Sequence, residues 1–226
     1  MKTAYGQDRF NLIIFDCDGV LVDSERIANR VFAAVLHQEC GLHFSLEQMF
    51  DQFVGHSQAR CLAIIEELTG AAPPSGLAER YRKEINEELA RSVAAVNGIE
   101  SVLEGIDIPY CVASSGSPEK MQTTLSKCGL IKYFDDNLYS TVEVTRGKPF
   151  PDIYLYAAQS MQVSDPTTCL VIEDSPVGVT GAVAAQMTVF GYSELMKAEK
   201  LVAAGAHLTF DQMAELPNEI LKYAQQ

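Results

Sequence analysis

Nowhere does the 226-residue sequence hold an uninterrupted apolar run of about 18 residues, the length a helix needs to cross a bilayer. No transmembrane helix is therefore expected. Met1 to Asn11 carries Lys2 and Arg9 but no apolar stretch of signal length, so nothing argues for export. Positive charge is scarce: 17 Lys and Arg stand against 30 Asp and Glu, a net charge of −13. A surface this acidic disfavours nucleic acid and anionic membrane as partners. Cysteines number six (Cys17, Cys40, Cys61, Cys111, Cys128 and Cys169), with no CxxC pair and no metal-like cluster. They read as buried free thiols in a reducing cytoplasm. Internal repeats and low-complexity tracts are also missing.

What is present is ordinary for a globular chain: 47% hydrophobic and 21% charged residues. The length suits one sizeable domain, or a core with a smaller one inserted. Leu12–Phe15 is an unbroken apolar run, as a strand buried on both faces requires. Tyr110–Ala113, Leu138–Ser140, Leu170–Ile172 and Thr188–Phe190 read as further short buried strands. Helical signals separate them. Ser117-Pro118-Glu119 and Ser175-Pro176 each pair an N-cap serine with a first-turn proline. Pro151-Asp152 opens a further helix, and Gly129 closes the one begun at Ser117. Alternating strands and helices predict a parallel α/β sheet, doubly wound and Rossmann-like, with helices on both faces.

Residues 24 to 93 break that rhythm and read as all-helical. Ile27, Ala28, Val31, Phe32, Val35 and Leu36 stripe one helix that ends near Gly41. Ser45 and Gln48 form a capping box for a second. Ser57 can cap a third, with Cys61, Ile64, Ile65 and Leu68 on its apolar face. Leu77, Tyr81, Ile85 and Leu89 stripe a fourth. The expected division is a catalytic core from residues 1–22 and 94–226, with residues 23–93 inserted as a helical cap.

The chemistry collects at the ends of the predicted strands. Asp16-Cys17-Asp18-Gly19 follows Leu12–Phe15 directly, where an open α/β sheet binds its ligands. Two carboxylates one residue apart can serve as nucleophile and as general acid/base, and their oxygens suit Mg²⁺. A bare pair of this kind fits equally well a turn in which both bond nearby backbone N–H groups. Ser114-Ser115-Gly116, ahead of a helix, offers a hydroxyl and successive N–H groups to an anion, although serine there also serves as a plain cap. Lys148, held by Pro149, can aim a charge at a phosphate, or lie on the surface. Glu173-Asp174 ends a buried strand, which is costly unless positive charge sits nearby. A metal shared with Asp16 and Asp18 would account for it.

In order and placement these segments resemble the haloacid dehalogenase superfamily, in its helical-cap branch with the beta-phosphoglucomutase-like sugar-phosphate phosphatases. The resemblance runs over nearly the whole chain and rests on four stretches: Phe15-Asp16-Cys17-Asp18-Gly19-Val20-Leu21-Val22-Asp23-Ser24, Ser114, Gly147-Lys148-Pro149-Phe150-Pro151-Asp152-Ile153-Tyr154, and Ile172-Glu173-Asp174-Ser175. It implies that Asp16 attacks phosphorus to form an aspartyl-phosphate. It makes Asp18 the acid and then the base, has Ser114 hold a phosphoryl oxygen, and sets Lys148 to neutralise phosphate charge and orient Asp16. It implies Mg²⁺ on the Asp16 carboxylate, the Asp18 backbone carbonyl and Asp174, with Glu173 joining directly or through water. The substrate implied is a small phosphorylated metabolite, and the enzyme a monomer or weak homodimer.

Departures from the family pattern narrow the reading. An acid at Asp18 argues against dehalogenation. Where the mutase carries a cap histidine, this chain has Ala28. Where the mutase cap loop carries a phosphate-gripping arginine, this chain has Gln58, in Gly55-His56-Ser57-Gln58. Arg60 lies two residues on, about 200° around a helix, and is an imperfect substitute. The single cap lysine, Lys83, sits on a late helix, which disfavours phosphonate cleavage through a Schiff base. Hydrolysis of a sugar or sugar-acid monophosphate is therefore preferred to phosphoryl migration between sugar hydroxyls. A non-catalytic binding module would be expected to lose one of Asp16, Asp18, Lys148 or Asp174. Gly55, His56, Ser57 and Gln58 are the candidates for choosing the substrate, although His56 fits equally an ordinary exposed loop. Gln186 stands where the family usually has glycine before Met187, so either it is strained or the helix ends differently.

Overall fold

The computed structural model describes residues 9–54 and 58–225. Its elements run β1 (Leu12–Phe15), α1 (Glu25–Cys40), α2 (Leu46–Phe53), α3 (Gln58–Thr69), α4 (Leu77–Ser92), α5 (Ile99–Gly105), β2 (Tyr110–Ser114), α6 (Pro118–Lys127), β3 (Leu138–Ser140), α7 (Asp152–Ser160), β4 (Cys169–Glu173), α8 (Pro176–Ala184), β5 (Thr188–Tyr192), α9 (Ala198–Ala204), β6 (Leu208–Phe210) and α10 (Leu216–Ala224). Two compact units result. One joins residues 1–23 to 94–226; the other spans 24–93. The Asp23 N–H donates to the Ala94 carbonyl at 2.9 Å, and Val22 bridges Ala95 in antiparallel fashion. The chain therefore leaves and re-enters the first unit at neighbouring points.

The first unit is a six-stranded parallel sheet, ordered β3-β2-β1-β4-β5-β6 and flanked by helices. Every residue of β1 and of β4 is buried, as their continuous apolar runs require. Each of those aliphatic side chains gains about 1.5–3 kcal/mol by leaving water. From β1 the chain builds outward to β3, then returns to the other side of β1 and builds to β6. The strand order thus reverses beside β1. The caps read from sequence are in place: Ser117 Oγ accepts from the Lys120 N–H, and Ser175 Oγ from the Gly178 N–H. Strand β6 is not among the expected strands; its three residues, Leu208-Thr209-Phe210, are interrupted by a polar side chain.

The second unit carries its own core of Val35, Leu36, Met49, Phe53, Ile64, Ile65 and Leu77. Helix α1 ends as expected at Gly41, which takes a left-handed φ of 68°. The Ser45–Gln48 capping box is formed, with bonds of 2.8 and 3.2 Å. The cap expected from Ser57 lies outside the described residues. All six cysteines are free: Cys17, Cys111 and Cys169 are buried, whereas Cys40, Cys61 and Cys128 are only half-buried. Among the described residues no helix is long and apolar enough to cross a membrane.

Helix α8 ends in the expected place, and Gln186 bears the strain. Its φ is +63°, while its N–H bonds Val183 O at 2.9 Å and the Met187 N–H bonds Ala182 O at 3.2 Å. That arrangement needs a left-handed residue, which crowds the Cβ of anything but glycine. Gln186→Gly is expected to raise the unfolding free energy by about 0.5–1 kcal/mol. Urea melts of the two proteins, with activity unchanged, are the check.

Candidate active site

Because β1 lies at the sheet's point of reversal, the loop leaving its C-terminal end has open space on both sides, and binding sites form at such a place. The first residue of that loop is Asp16, whose N–H donates to Ile172 O of β4 at 3.0 Å. The loop closes on itself: the Leu21 and Val22 N–H groups both donate to Cys17 O at 3.0 Å, and the Gly19 N–H to Val22 O at 2.9 Å. Gly19 has φ +79°, and a Cβ on it would fall 2.0 Å from Asp174 Oδ2. Only glycine lets the loop pass this close to that carboxylate.

Lys148 is the centre of the cluster. Its Nζ lies 2.7 Å from Asp16 Oδ1, 2.6 Å from Glu173 Oε1 and 3.0 Å from Ala113 O. Its side chain is only 5% exposed, and the Lys148–Pro149 peptide is cis. Glu173, the last residue of β4, is fully buried. Its Oε1 also meets the Tyr154 hydroxyl at 2.8 Å, and its Oε2 accepts from the Ser175 hydroxyl at 2.9 Å and N–H at 3.2 Å. A Cβ on Gly178 would fall 2.0 Å from this carboxylate. Both oxygens of Glu173 are therefore committed to protein donors.

These surroundings set the charges. Burial pushes the Asp16 carboxyl up to about 7, opposed by the Lys148 ammonium and reinforced by the negative charges of Glu173 and Asp18. Burial works to lower Lys148, but Asp16 and Glu173 outweigh it and hold its pKa well above the usual lysine value. Burial, with Glu173 beside it, keeps the Tyr154 hydroxyl protonated to well above its ordinary value. An extra cation near Asp16 would favour its ionised form.

The structure brings together most of the residues singled out in the sequence. Asp16, Glu173 and Asp174 each place a carboxylate oxygen within 4.8 Å of the others. Hard oxygen donors of this kind fit Mg²⁺ and offer nothing to a soft metal. Asp18 contributes no carboxylate oxygen to that group; its side chain instead meets Lys120 Nζ at 2.8 Å through both oxygens. Ser114, at the end of β2, is buried, and its Oγ accepts from the Gly116 N–H at 3.0 Å. Ser115 is exposed and Gly116 half-buried. Gly55, His56 and Ser57 lie outside the described residues, and Gln58 opens α3. Arg60, weighed as a stand-in for a phosphate-gripping arginine, lies 2.7 Å from Glu67 on the same helix.

Two residues at the site were missed in the sequence. Tyr154 sits within the motif around Lys148, but a tyrosine inside an apolar helix reads as core. Lys120 follows Ser117-Pro118-Glu119 as one more charge on a helix surface, and only the tertiary fold reveals its partner.

The sheet, its switch-point loop and the buried lysine between carboxylates define a hydrolase site of one family. The chain belongs to the haloacid dehalogenase-like hydrolases, whose family model matches residues 13–192. It is 32% identical over 210 residues to the 6-phosphogluconate phosphatase of Escherichia coli, covering 92% of this chain and 94% of that one. A conserved haloacid dehalogenase-like protein of unknown function from Agrobacterium tumefaciens superposes with a TM-score of 0.90 at 36% identity, covering 95% of this chain and 99% of that one. A HAD family hydrolase from Deinococcus radiodurans, solved with bound phosphate and sodium, gives 0.82 at 30% identity, covering 96% and 97%.

Tyr154→Phe keeps the buried ring but leaves Glu173 Oε1 short of a donor. It is expected to lower stability by about 1–3 kcal/mol, read as a lower denaturant midpoint at unchanged slope.

Proposed function

We propose that this chain is a phosphatase that hydrolyses a small phosphorylated metabolite, a sugar or sugar-acid monophosphate, through an aspartyl-phosphate on Asp16. The observation that carries the reading is the buried Lys148 clamped between Asp16 and Glu173 beside a second aspartate, Asp18. Phosphoryl transfer needs little beyond positioned charge, a nucleophile and a proton donor, and those are the groups gathered here.

In the first half-reaction an Asp16 carboxylate oxygen bonds to phosphorus as the ester P–O bond breaks. Asp18 gives its proton to the departing oxygen. Lys148 keeps Asp16 oriented and offsets negative charge on the phosphoryl group, to whose oxygens the Ser114 hydroxyl and the Ser115 N–H can donate, while the Gly116 N–H, bonded to Ser114 Oγ, holds that hydroxyl in place. In the second half-reaction Asp18 takes a proton from water as the water oxygen bonds to phosphorus, the acyl-phosphate bond breaks, and Asp16 is restored with release of inorganic phosphate. Asp16 and Asp174, with the Asp18 carbonyl, would hold Mg²⁺, and the ion would supply positive charge beside the phosphoryl oxygens. Glu173, already bonded at both oxygens, suits support of that site directly or through water.

The substrate class draws support from the 6-phosphogluconate phosphatase relative. Gln58 and Ala28 in the cap favour water over a second sugar hydroxyl as phosphoryl acceptor. Residues 23–93 are assigned the choice of substrate body, with residues 55–58 as the candidates. The enzyme is assigned to the cytoplasm, in keeping with six free thiols, and to work as a monomer or weak homodimer. Its acidity favours neither nucleic acid nor membrane as partner.

A phosphate-release screen over sugar, sugar-acid, polyol and nucleoside monophosphates with Mg²⁺ tests the reading. Turnover is expected for at least one class, and Asp16→Asn is expected to lose on the order of 10³-fold or more. Activity that survives Asp16→Asn sinks the nucleophile assignment. A requirement for a sugar bisphosphate with little net phosphate release turns the enzyme into a mutase.

The metal assignment has its own readout. Saturating Mg²⁺, at about 100 times its dissociation constant, should stabilise the folded protein by about 2.7 kcal/mol. Thermal melts should lose most of that shift in Asp174→Asn, and an equal shift in both proteins would place the ion elsewhere.

A further inference from the structure

Each aspartate of the Asp16-Cys17-Asp18 loop has its own lysine. Lys148 serves Asp16 in a closed setting, with side chains 5% and 10% exposed. Lys120 serves Asp18 in a more open one, at 32% and 22%, and its Nζ lies 2.8 Å from both Oδ1 and Oδ2. Ammonium contact with both oxygens restricts how the carboxylate can turn and favours its charged form.

The backbone that presents Lys120 is itself pinned. Lys120 is the third residue of α6, and its N–H is the one capped by Ser117 Oγ. The turn before the helix is tied by the Gly116 N–H to Ser114 Oγ at 3.0 Å and by the Ser140 hydroxyl to Gly116 O at 2.6 Å. A Cβ on Gly116 would lie 3.3 Å from Ser114 Oγ, 3.4 Å from Lys120 Cδ and 3.7 Å from Asp18 Oδ2. Serine hydroxyl, lysine stem and aspartate carboxylate converge on one spot, where an added Cβ would touch all three and press on the serine hydroxyl.

We propose that Lys120 is a positioning residue that holds the Asp18 carboxyl in the orientation from which it protonates the leaving group. This rests on the phosphatase reading above. In the step concerned, the Asp16–phosphorus bond forms, the phosphorus–oxygen ester bond breaks, and the electron pair left on the departing oxygen takes the Asp18 proton. Lys120 neither gives nor takes a proton. In the structure its ammonium spans both Asp18 oxygens; in the acid form it gives up the oxygen that carries the proton and keeps the other as its acceptor, so that the protonated oxygen faces the departing one.

Leaving-group dependence tests this. A sugar phosphate releases a poor leaving group and needs the proton, whereas 2,4-dinitrophenyl phosphate releases a good one and does not. Lys120→Met should lower kcat/KM for a sugar phosphate by about 10- to 100-fold, and for the dinitrophenyl ester by less than about threefold. Lys120→Arg should recover most of the loss, because a guanidinium fork also spans both carboxylate oxygens. In an Asp18→Asn background, Lys120→Met should cost nothing further. Circular dichroism and melting temperature establish that each variant is folded.

Equal losses on both esters, no loss on the sugar phosphate, or additive losses with Asp18→Asn would overturn the proposal. So would a loss confined to 6-phosphogluconate and absent with glucose 6-phosphate, which would make Lys120 a ligand for the substrate carboxylate. Wild-type protein that releases phosphate from neither ester removes the phosphatase reading and this role with it. That outcome is distinct from an active wild type indifferent to Lys120→Met.

Discussion

The Lys148 ammonium group, buried against the Asp16 and Glu173 carboxylates and the Ala113 carbonyl, is the contact on which the rest of the site depends. Neither carboxylate tolerates burial alone. Removing one partner of such a pair leaves an unpaired buried charge, at roughly 3–5 kcal/mol. The lysine also ties together four parts of the fold: the loop after β1, strand β2 through Ala113 O, the end of β4 and the long connection between β3 and α7. Yet one ammonium does not balance three carboxylates. With Asp174 added, the cluster keeps an excess of negative charge, while burial above all, helped by the charges of Glu173 and Asp18 and opposed by Lys148, pushes the Asp16 carboxyl up to about 7. A divalent cation would relieve the excess and leave the carboxylate free to act. An acidic chain can in this way build a site that accepts an anion.

Sheet order does the remaining placement. With β1 flanked by β2 and β4, the three strands present Ser114, Asp16 and Glu173 side by side along one edge. Close packing then leaves no slack. Gly19 and Gly178 stand where a single added carbon would overlap Asp174 and Glu173. The carboxylates are fixed by backbone geometry as much as by their hydrogen bonds, and preorganisation of this kind is what phosphoryl transfer requires.

Much of this was legible in the amino-acid sequence, for identifiable reasons. Strands buried on both faces show as apolar runs, so β1, β2, β4 and β5 could be read to within two residues at either end, and the half-buried edge strand β3 could be read as well. Ser117, Ser175 and Ser45 announce their helices through local capping chemistry, which does not depend on the fold. Strand β6 went unread: Leu208-Thr209-Phe210 is broken by a polar residue and only half-buried at two of its three positions. Lys120 could not be read either. Its neighbours in sequence mark only a helix start, and its partner Asp18 is 102 residues away. Tyr154 was hidden by its own hydrophobicity: the apolar ring that buries it also disguises the hydroxyl meeting Glu173. Local signals reveal elements and their ends, while pairings between distant elements emerge only when the sheet is assembled.

The bonded junction at Asp23 and Ala94 has one more consequence. Because the chain departs and returns at adjacent residues, the sheet unit is already closed without the excursion of residues 24–93. The entropy of closing that loop grows only with the logarithm of its length. Helical inserts of different sizes could therefore be exchanged at this point, while the strands and their acidic cluster carry on unchanged.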